Sequence, residues 1–539
     1  MNRRTAKGLA LFTAVATALV VAPATGASAA PGAPGADSAG VASKITWGQC
    51  ESPGLQRRGA ECGLLDVPLD YSKPNGKKIQ LAVSRIKAKV AAKDYQGIML
   101  VNPGGPGGSG LTLSVLGEYV PNKAGEAYDW IGFDPRGVGS SVPALSCDND
   151  YFNGPRPEYI PWNQSIEKTW LNRSKDYAKA CGKAGGALLD HMTTVDSVND
   201  MESIRKSLGA SQINFYGFSY GTYLGQVYGT LYPKQVRRMV LDGNVDVRKV
   251  WYQANLDQDV NFERNVRIWF DWVAKYDSVY HLGKTGTEVQ LRWYAEQNKL
   301  RAKPAGGVVG PDEFTDIFLY SGYYQSTWLE LAEAFAGWAN DKNTDLIVAA
   351  YENYVGPGDD NGFAVYNAVQ CTDVQWPQSW NTWERDNWKT FLKAPFMTWD
   401  NAWYNAACLY WPGKVSKPVK VDGSKVQSVL FVGTTLDAAT PFEGSLEARR
   451  RFPHSALLAE VGQTTHANSL NGNECVDNVI ADYLATGKLP KRKAGDKPDA
   501  TCDALPQPDP TAASLQAKSL RADSAAVPSV REPLYPVHH

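Results

Sequence analysis

The chain offers a partner almost no net charge: 55 Lys and Arg stand against 56 Asp and Glu, a formal charge of −1. So balanced a surface gives no electrostatic reason to bind nucleic acid or an anionic membrane. No stretch reaches the ~18 consecutive apolar residues of a transmembrane helix, so no membrane anchor is expected. The six histidines are scattered, no HExxH occurs, and none of the eight cysteines falls in a CxxC, so neither a zinc site nor any other metal is expected. Disorder of the whole chain is excluded by composition, with 43% hydrophobic and 21% charged residues. A length of 539 residues fits several average domains, or one α/β fold with a large insertion. No internal repeat is visible.

What is present begins with an export signal. Arg3, Arg4 and Lys7 form a basic start, Gly8 to Val21 is uncharged and mostly apolar, and Ala27-Ser28-Ala29 supplies the small residues of a cleavage site. Residues 1–29 are therefore expected to be a signal peptide, with a secreted mature chain. The Arg3-Arg4 pair permits twin-arginine export, although Thr5-Ala6 matches that route poorly. Residues 30–43 look like a flexible leader or pro-segment, and 505–539 like a flexible tail rich in Pro, Ala and Ser. Eight cysteines suit an oxidising compartment. Their spacing favours neighbours, namely Cys50–Cys62, Cys147–Cys181, Cys371–Cys408 and Cys475–Cys502.

Residues 44–246 alternate short apolar runs with loops and helical stretches. Gly97–Val101, Tyr128–Phe133, Ile213–Tyr216 and Arg238–Asp242 read as buried strands. Thr194–Leu208 reads as a helix, with Val195, Val198, Met201, Ile204 and Leu208 at helical spacing. Across 247–411 strand-like runs become rare and helices dominate, for example Glu313–Trp338. Thirteen of the 17 Trp fall there, which suggests an aromatic-lined binding region. Strands Ser428–Val432 and Ala456–Val461 resume in 412–504, with a helix Glu443–Arg451 between them. The pattern is that of an α/β domain, a mostly parallel sheet covered on both faces, interrupted by a helical cap.

Gly217-Phe-Ser219-Tyr-Gly221 carries the chemistry. It fits G-x-S-x-G, follows a strand and precedes a helix, the context of a nucleophile elbow. A serine hydroxyl needs a base, and the base an orienting acid. His466 is the histidine that follows the last predicted strand. Asp437 stands at the end of the preceding strand, with Asp422 the weaker alternative. Tetrahedral intermediates need oxyanion donors. These are expected from the N–H of Tyr220 and from Gly104 or Gly105 in the loop Asn102-Pro-Gly-Gly-Pro-Gly-Gly-Ser-Gly110. That loop lacks the GK[ST] ending of a phosphate-binding loop.

Taken together, Pro103-Gly-Gly-Pro-Gly107, Asp134-Pro-Arg-Gly-Val-Gly-Ser140, Gly217–Gly221, Asp437-Ala-Ala-Thr-Pro441 and His466 resemble the secreted actinobacterial tripeptidyl aminopeptidases. These are prolyl-iminopeptidase-like α/β-hydrolases, and the resemblance covers nearly the whole mature chain. It implies an α/β-hydrolase fold and a serine exopeptidase releasing tripeptides from a free N-terminus, often with proline near the cut. It also implies Ser219 as nucleophile, Asp437 as acid, His466 as base, and no cofactor. The partner would be a peptide or protein with a free N-terminus, and the enzyme a monomer. Prolyl iminopeptidases have His where this chain has Pro103, which favours the tripeptidyl branch. A protonated amine calls for a carboxylate in a closed pocket. Glu330, Glu333 and Asp373 are the candidates in the insertion. A carboxylesterase or lipase would use the same triad, and a non-catalytic binding protein could share the scaffold.

Overall fold

The computed structural model describes residues 43–512. The signal-peptide expectation (1–29), most of the leader and residues 513–539 of the tail lie outside the described residues. Ten strands form one sheet: β1 (Gly48–Gln49), β2 (Glu61–Pro68), β3 (Lys78–Ile86), β4 (Ile98–Asn102), β5 (Asp129–Phe133), β6 (Ile213–Phe218), β7 (Val236–Asp242), β8 (Val429–Thr434), β9 (Ser455–Val461) and β10 (Ala500–Asp503). Their spatial order is β1-β2-β3-β5-β4-β6-β7-β8-β9-β10. From β5 to β10 every neighbour is parallel, while β1, β2, β3 and β5 pair antiparallel. The parallel strands are unbroken apolar runs because helices cover both faces; β4, β6 and β8 are buried along their whole length.

The chain leaves β4 for β5 on one side and then crosses to β6 on the other. Such a reversal opens a crevice at the carboxyl ends of β4 and β6. The Gly-rich loop after β4 and the helix Tyr220–Leu231 after β6 meet there. Helix Thr194–Ser207, which precedes β6, starts in a capping box between Thr193 and Asp196.

Between β7 and β8 the chain builds helices from Tyr252–Lys275 to Thr398–Asn405. They bury a core of their own around Trp269, Trp293, Trp328 and Phe314. One expected helix, Glu313–Trp338, is two: Pro311–Tyr323 and Trp328–Ala336. The break has a cause. Tyr324 turns extended (φ −139°, ψ 125°), and Gln325 N–H donates to Thr465 Oγ1 at 3.1 Å. A loop partner on the sheet thus replaces a helical one.

Disulfides join Cys50–Cys62, Cys147–Cys181, Cys371–Cys408 and Cys475–Cys502. The last ties the edge strand β10 to helix Glu474–Thr486. The start of the tail is held rather than loose, since Trp272 Nε1 donates to Pro508 O at 2.9 Å.

Candidate active site

β6 delivers Ser219 into the crevice with φ 53° and ψ −124°. A residue with a Cβ resists that conformation, at a cost of about 1–3 kcal/mol, unless its surroundings impose it. Here they do. Ser219 N–H donates to Asp242 O of β7 at 3.0 Å, and a helix begins at the next residue. A Cβ on Gly217 would lie 2.6 Å from Gly221 O, and one on Gly221 2.7 Å from Asn102 O. Both glycines of the motif are therefore steric requirements of the turn.

Asp437 follows β8 and His466 follows β9, each 1% exposed. His466 Nδ1 lies 2.9 Å from Asp437 Oδ1 and 2.8 Å from Oδ2. A carboxylate there assigns the proton to Nδ1 and leaves the Nε2 lone pair for chemistry. Thr440 completes the turn: its N–H donates to Asp437 Oδ1 at 2.9 Å and its hydroxyl to Oδ2 at 3.0 Å. Beneath the pair, Asp242 accepts from Ser469 N–H at 2.8 Å. Burial pushes its carboxyl up to about 6, against the hydrogen bonds from Ser469 and with the Asp437 charge adding to the rise. The weaker acid candidate, Asp422, is exposed on the loop before β8, at the opposite end of the strand from Asp437.

The loop after β4 lies hard against the elbow. At Gly104 (φ +103°), a Cβ would stand 2.7 Å from Phe218 O and 2.8 Å from Ser219 Cβ. Gly104 was an expected oxyanion donor, but its N–H is given to Asn102 Oδ1 at 3.0 Å. Gly105, like Ser219 and Tyr220, borders the cavity. Tyr220, at the first position of its helix, has an N–H outside the helical ladder. Asp134 clamps the loop's far end, accepting from Ser109 Oγ at 2.5 Å and Gly110 N–H at 3.0 Å.

Ser219, Thr440 and His466 border a cavity roofed by the insertion. Its aromatic wall is mostly tyrosine, among them Tyr159, Tyr320, Tyr323 and Tyr404, with Phe152 and Trp251 beside them. Of the other tryptophans of the insertion, Trp269, Trp272, Trp293, Trp328 and Trp338 pack in its own core, Trp376 and Trp383 in the core shared with the sheet, and Trp399 and Trp403 in a separate cluster with Trp170.

None of the three expected amine-binding carboxylates borders this cavity. Glu330 and Glu333 are exposed, and Tyr354 OH donates to Glu330 at 2.7 Å. Asp373 is buried behind the elbow, where Thr194 N–H and Oγ1 donate to it at 2.7 and 2.6 Å and Trp251 Nε1 at 3.2 Å. Thr194 Oγ1 in turn lies 2.8 Å from the Tyr220 hydroxyl, so Asp373 braces the elbow.

Five carboxylates that sequence reasoning passed over border the cavity: Asp246 and Asp257, both paired with Lys249, Glu443, and, sharing one corner, Asp316 on helix Pro311–Tyr323 and Asp400 on helix Thr398–Asn405. Asp316 takes Arg156 Nε at 2.6 Å and the Tyr159 hydroxyl at 3.0 Å. Asp400 has no hydrogen bond or ion pair among the described residues. Burial pushes its carboxyl well above the usual carboxylate range, Asp316, Asp259 and Asp312 adding to the rise and Arg156 opposing it. This corner of the cavity holds two carboxyl groups, of which its one arginine pairs only Asp316.

Among the described residues no group of three or more His, Cys, Asp or Glu could hold a metal ion, and no helix is long and apolar enough to cross a membrane.

A mostly parallel sheet with a strained serine turn after one strand, an acid and a histidine after later ones, and a helical insertion between defines an α/β-hydrolase. A family model described as a TAP-like protein matches residues 394–502. Tripeptidyl aminopeptidase of Streptomyces lividans is 41% identical over 85% of this chain and 87% of its own. The chain belongs to the tripeptidyl-aminopeptidase family of α/β-hydrolases. More distant relatives are serine protease Hip1 of Mycobacterium tuberculosis, 28% identical over 83% of this chain and 89% of its own, and that organism's carboxylesterase B, 30% identical over 88% and 94%.

Proposed function

We propose that this protein is a secreted serine exopeptidase that releases tripeptides from the free N-terminus of peptides, with Ser219 as nucleophile, His466 as general base and Asp437 as the acid that orients it. The observation that carries this reading is His466, held by Asp437, bordering the same cavity as the strained Ser219 and the Asp316–Asp400 corner. His466 Nε2 takes the Ser219 proton as Oγ attacks the carbonyl carbon. The N–H groups of Tyr220 and Gly105 stabilise the oxyanion. The tetrahedral intermediate collapses, the C–N bond breaks, and the leaving amine takes the proton from His466. Water, deprotonated by His466, then releases the acyl group from Ser219. The chemistry needs no cofactor.

Asp400, supported by Asp316, binds the substrate's ammonium, so peptides lacking a free amine lose that anchor. The tyrosine wall offers flat, rigid faces that suit a proline ring near the scissile bond. The four disulfides support export to an oxidising compartment. Because the catalytic set and the acidic corner lie on one chain, a monomer suffices for the proposed activity.

The kinship with carboxylesterase B favours a second reading, ester hydrolysis by the same triad. Mass spectrometry of the products from an unblocked decapeptide separates the two. Successive tripeptides are expected first, and their absence, with intact ester turnover, overturns the exopeptidase reading.

A further inference from the structure

The insertion does more than roof the cavity, because its helices hydrogen-bond the backbone of both loops that carry Asp437 and His466. Asn265, fully buried at mid-length of helix Tyr252–Lys275, sits where three segments converge. Its Nδ2 donates to Leu436 O at 2.9 Å, to Gly322 O at 3.1 Å and to Thr464 O at 3.3 Å. Leu436 directly precedes Asp437. Thr464 lies two residues before His466. Gly322 precedes Tyr323, whose carbonyl accepts the His466 N–H at 2.9 Å.

One amide thus bridges the acid loop, the histidine loop and the end of a cap helix. Its orientation is set from the other side, where Arg264 Nε donates to Asn265 Oδ1 at 3.0 Å. Arg264 also donates through Nη2 to Leu436 O at 2.6 Å and Asp437 O at 3.2 Å. Further contacts repeat the pattern: Gln258 Nε2 donates to Ala439 O at 2.7 Å, and Gln325 Nε2 to Thr464 Oγ1 at 2.9 Å. Along the two loops themselves the direct backbone link at this level is Leu436 N–H to Gln463 O, at 3.1 Å.

The geometry points to Asn265, with Arg264 behind it, as the positioning residue through which the docked insertion sets the register of Asp437 against His466. Neither residue borders the cavity, so neither touches substrate. Docking of these helices and assembly of the triad are then one event, and the insertion cannot swing away at this seam without disarming the enzyme. Substrate enters by a route that leaves this seam closed. A displacement of about 1 Å at reacting groups costs on the order of a hundredfold in rate. Substrate affinity is set elsewhere, by the cavity wall.

This inference rests on the proposed triad but not on the tripeptide specificity, so p-nitrophenyl acetate is the substrate of choice. Rates are expressed per active site, counted by complete labelling of Ser219 with a fluorophosphonate, which removes any misfolded fraction. Asn265→Leu keeps the volume and removes the amide, and is expected to lower kcat about a hundredfold with KM within about twofold. Asn265→Asp, which turns an acceptor towards three carbonyls, is expected to do the same. Arg264→Met, at a half-buried site that tolerates change, is expected to lower kcat several-fold in the same kcat-only manner, and it decides the matter if the Asn265 variants do not fold. A purely structural role would lower Tm and leave kcat per labelled site unchanged. That result, in folded Asn265 variants or in Arg264→Met, overturns the inference. Ester turnover in a wild-type enzyme that cleaves no peptide would sink the exopeptidase reading and leave this test intact.

Discussion

Replacing Asp400 by Asn keeps the side chain's shape and removes the carboxyl that a bound ammonium would hold in its ionised form. A substrate ammonium about 4 Å from that carboxylate gains about 4 kcal/mol at the effective dielectric of a protein site. The corner borders an open cavity, so water screens the pair and about 2–3 kcal/mol is the better figure. Asp316 remains in Asp400→Asn, tied to Arg156 at 2.6 Å, and holds part of the attraction. The KM for Ala-Pro-Ala-p-nitroanilide is therefore expected to rise about 30- to 150-fold, with kcat little changed. Stability should move the other way. Burial and neighbouring acids hold the Asp400 carboxyl well above its usual range, so the folded state resists its ionisation. Its stabilising contribution is complete below the unfolded value and lost as pH rises through the folded one. The variant escapes that loss, so its Tm should exceed wild type at neutral pH and the gain should vanish in acid. The paired assays are initial rates across substrate concentration and thermal melts across pH. An unchanged KM for the unblocked anilide would refute the assignment of the amine to this corner.

Gly104→Ala forces a Cβ within 2.7 Å of Phe218 O at a φ of +103°, so the loop must retreat from the elbow. Loss of the Gly105 donor should cost about 10²–10³ in kcat on ester and anilide alike, read by steady-state rates; wild-type kcat would contradict it. Ser219→Ala should abolish turnover and fluorophosphonate labelling while far-UV circular dichroism and Tm stay near wild type. Asp242→Asn can still accept the Ser469 N–H but cannot titrate. Because the Asp242 carboxyl is raised from 3.8 to about 6, its stabilisation is full below 3.8 and lost as pH rises through about 6. The variant's Tm should fall less steeply over that window, and parallel curves for the two proteins would speak against it.

The elbow and the acid–histidine pair were legible because each stands at the end of an apolar run whose neighbours in the sheet follow in chain order. Ser219, Asp437 and His466 needed only the strand-to-loop pattern and the known order of the triad. Strands β2 and β3 were passed over for the opposite reason: both pair antiparallel, β2 is partly exposed along most of its length, and Glu61 in β2 and Lys78, Gln80 and Arg85 in the mostly buried β3 dilute the apolar signal. The amine corner was illegible. Asp316 and Asp400 come from helices far apart in the chain, and only packing of the insertion brings them to one wall. Glu330 and Glu333 looked equivalent in sequence, yet their helix turns that face to solvent. Thr440 had a local signal, a threonine three residues after the acid in a turn that its own hydroxyl could close. Gly104 shows the limit of motif reading: a loop rich in N–H groups does not say which of them its own asparagine has already taken.

The most direct test of an exopeptidase that counts from the amine compares chromophore release from Ala-Pro-Ala-p-nitroanilide and from its N-acetylated twin. Cleavage of the free form, with the acetylated form slower by about a hundredfold or more, is expected from the acidic corner. Equal cleavage of both would mean that the amine is not read, and would contradict it.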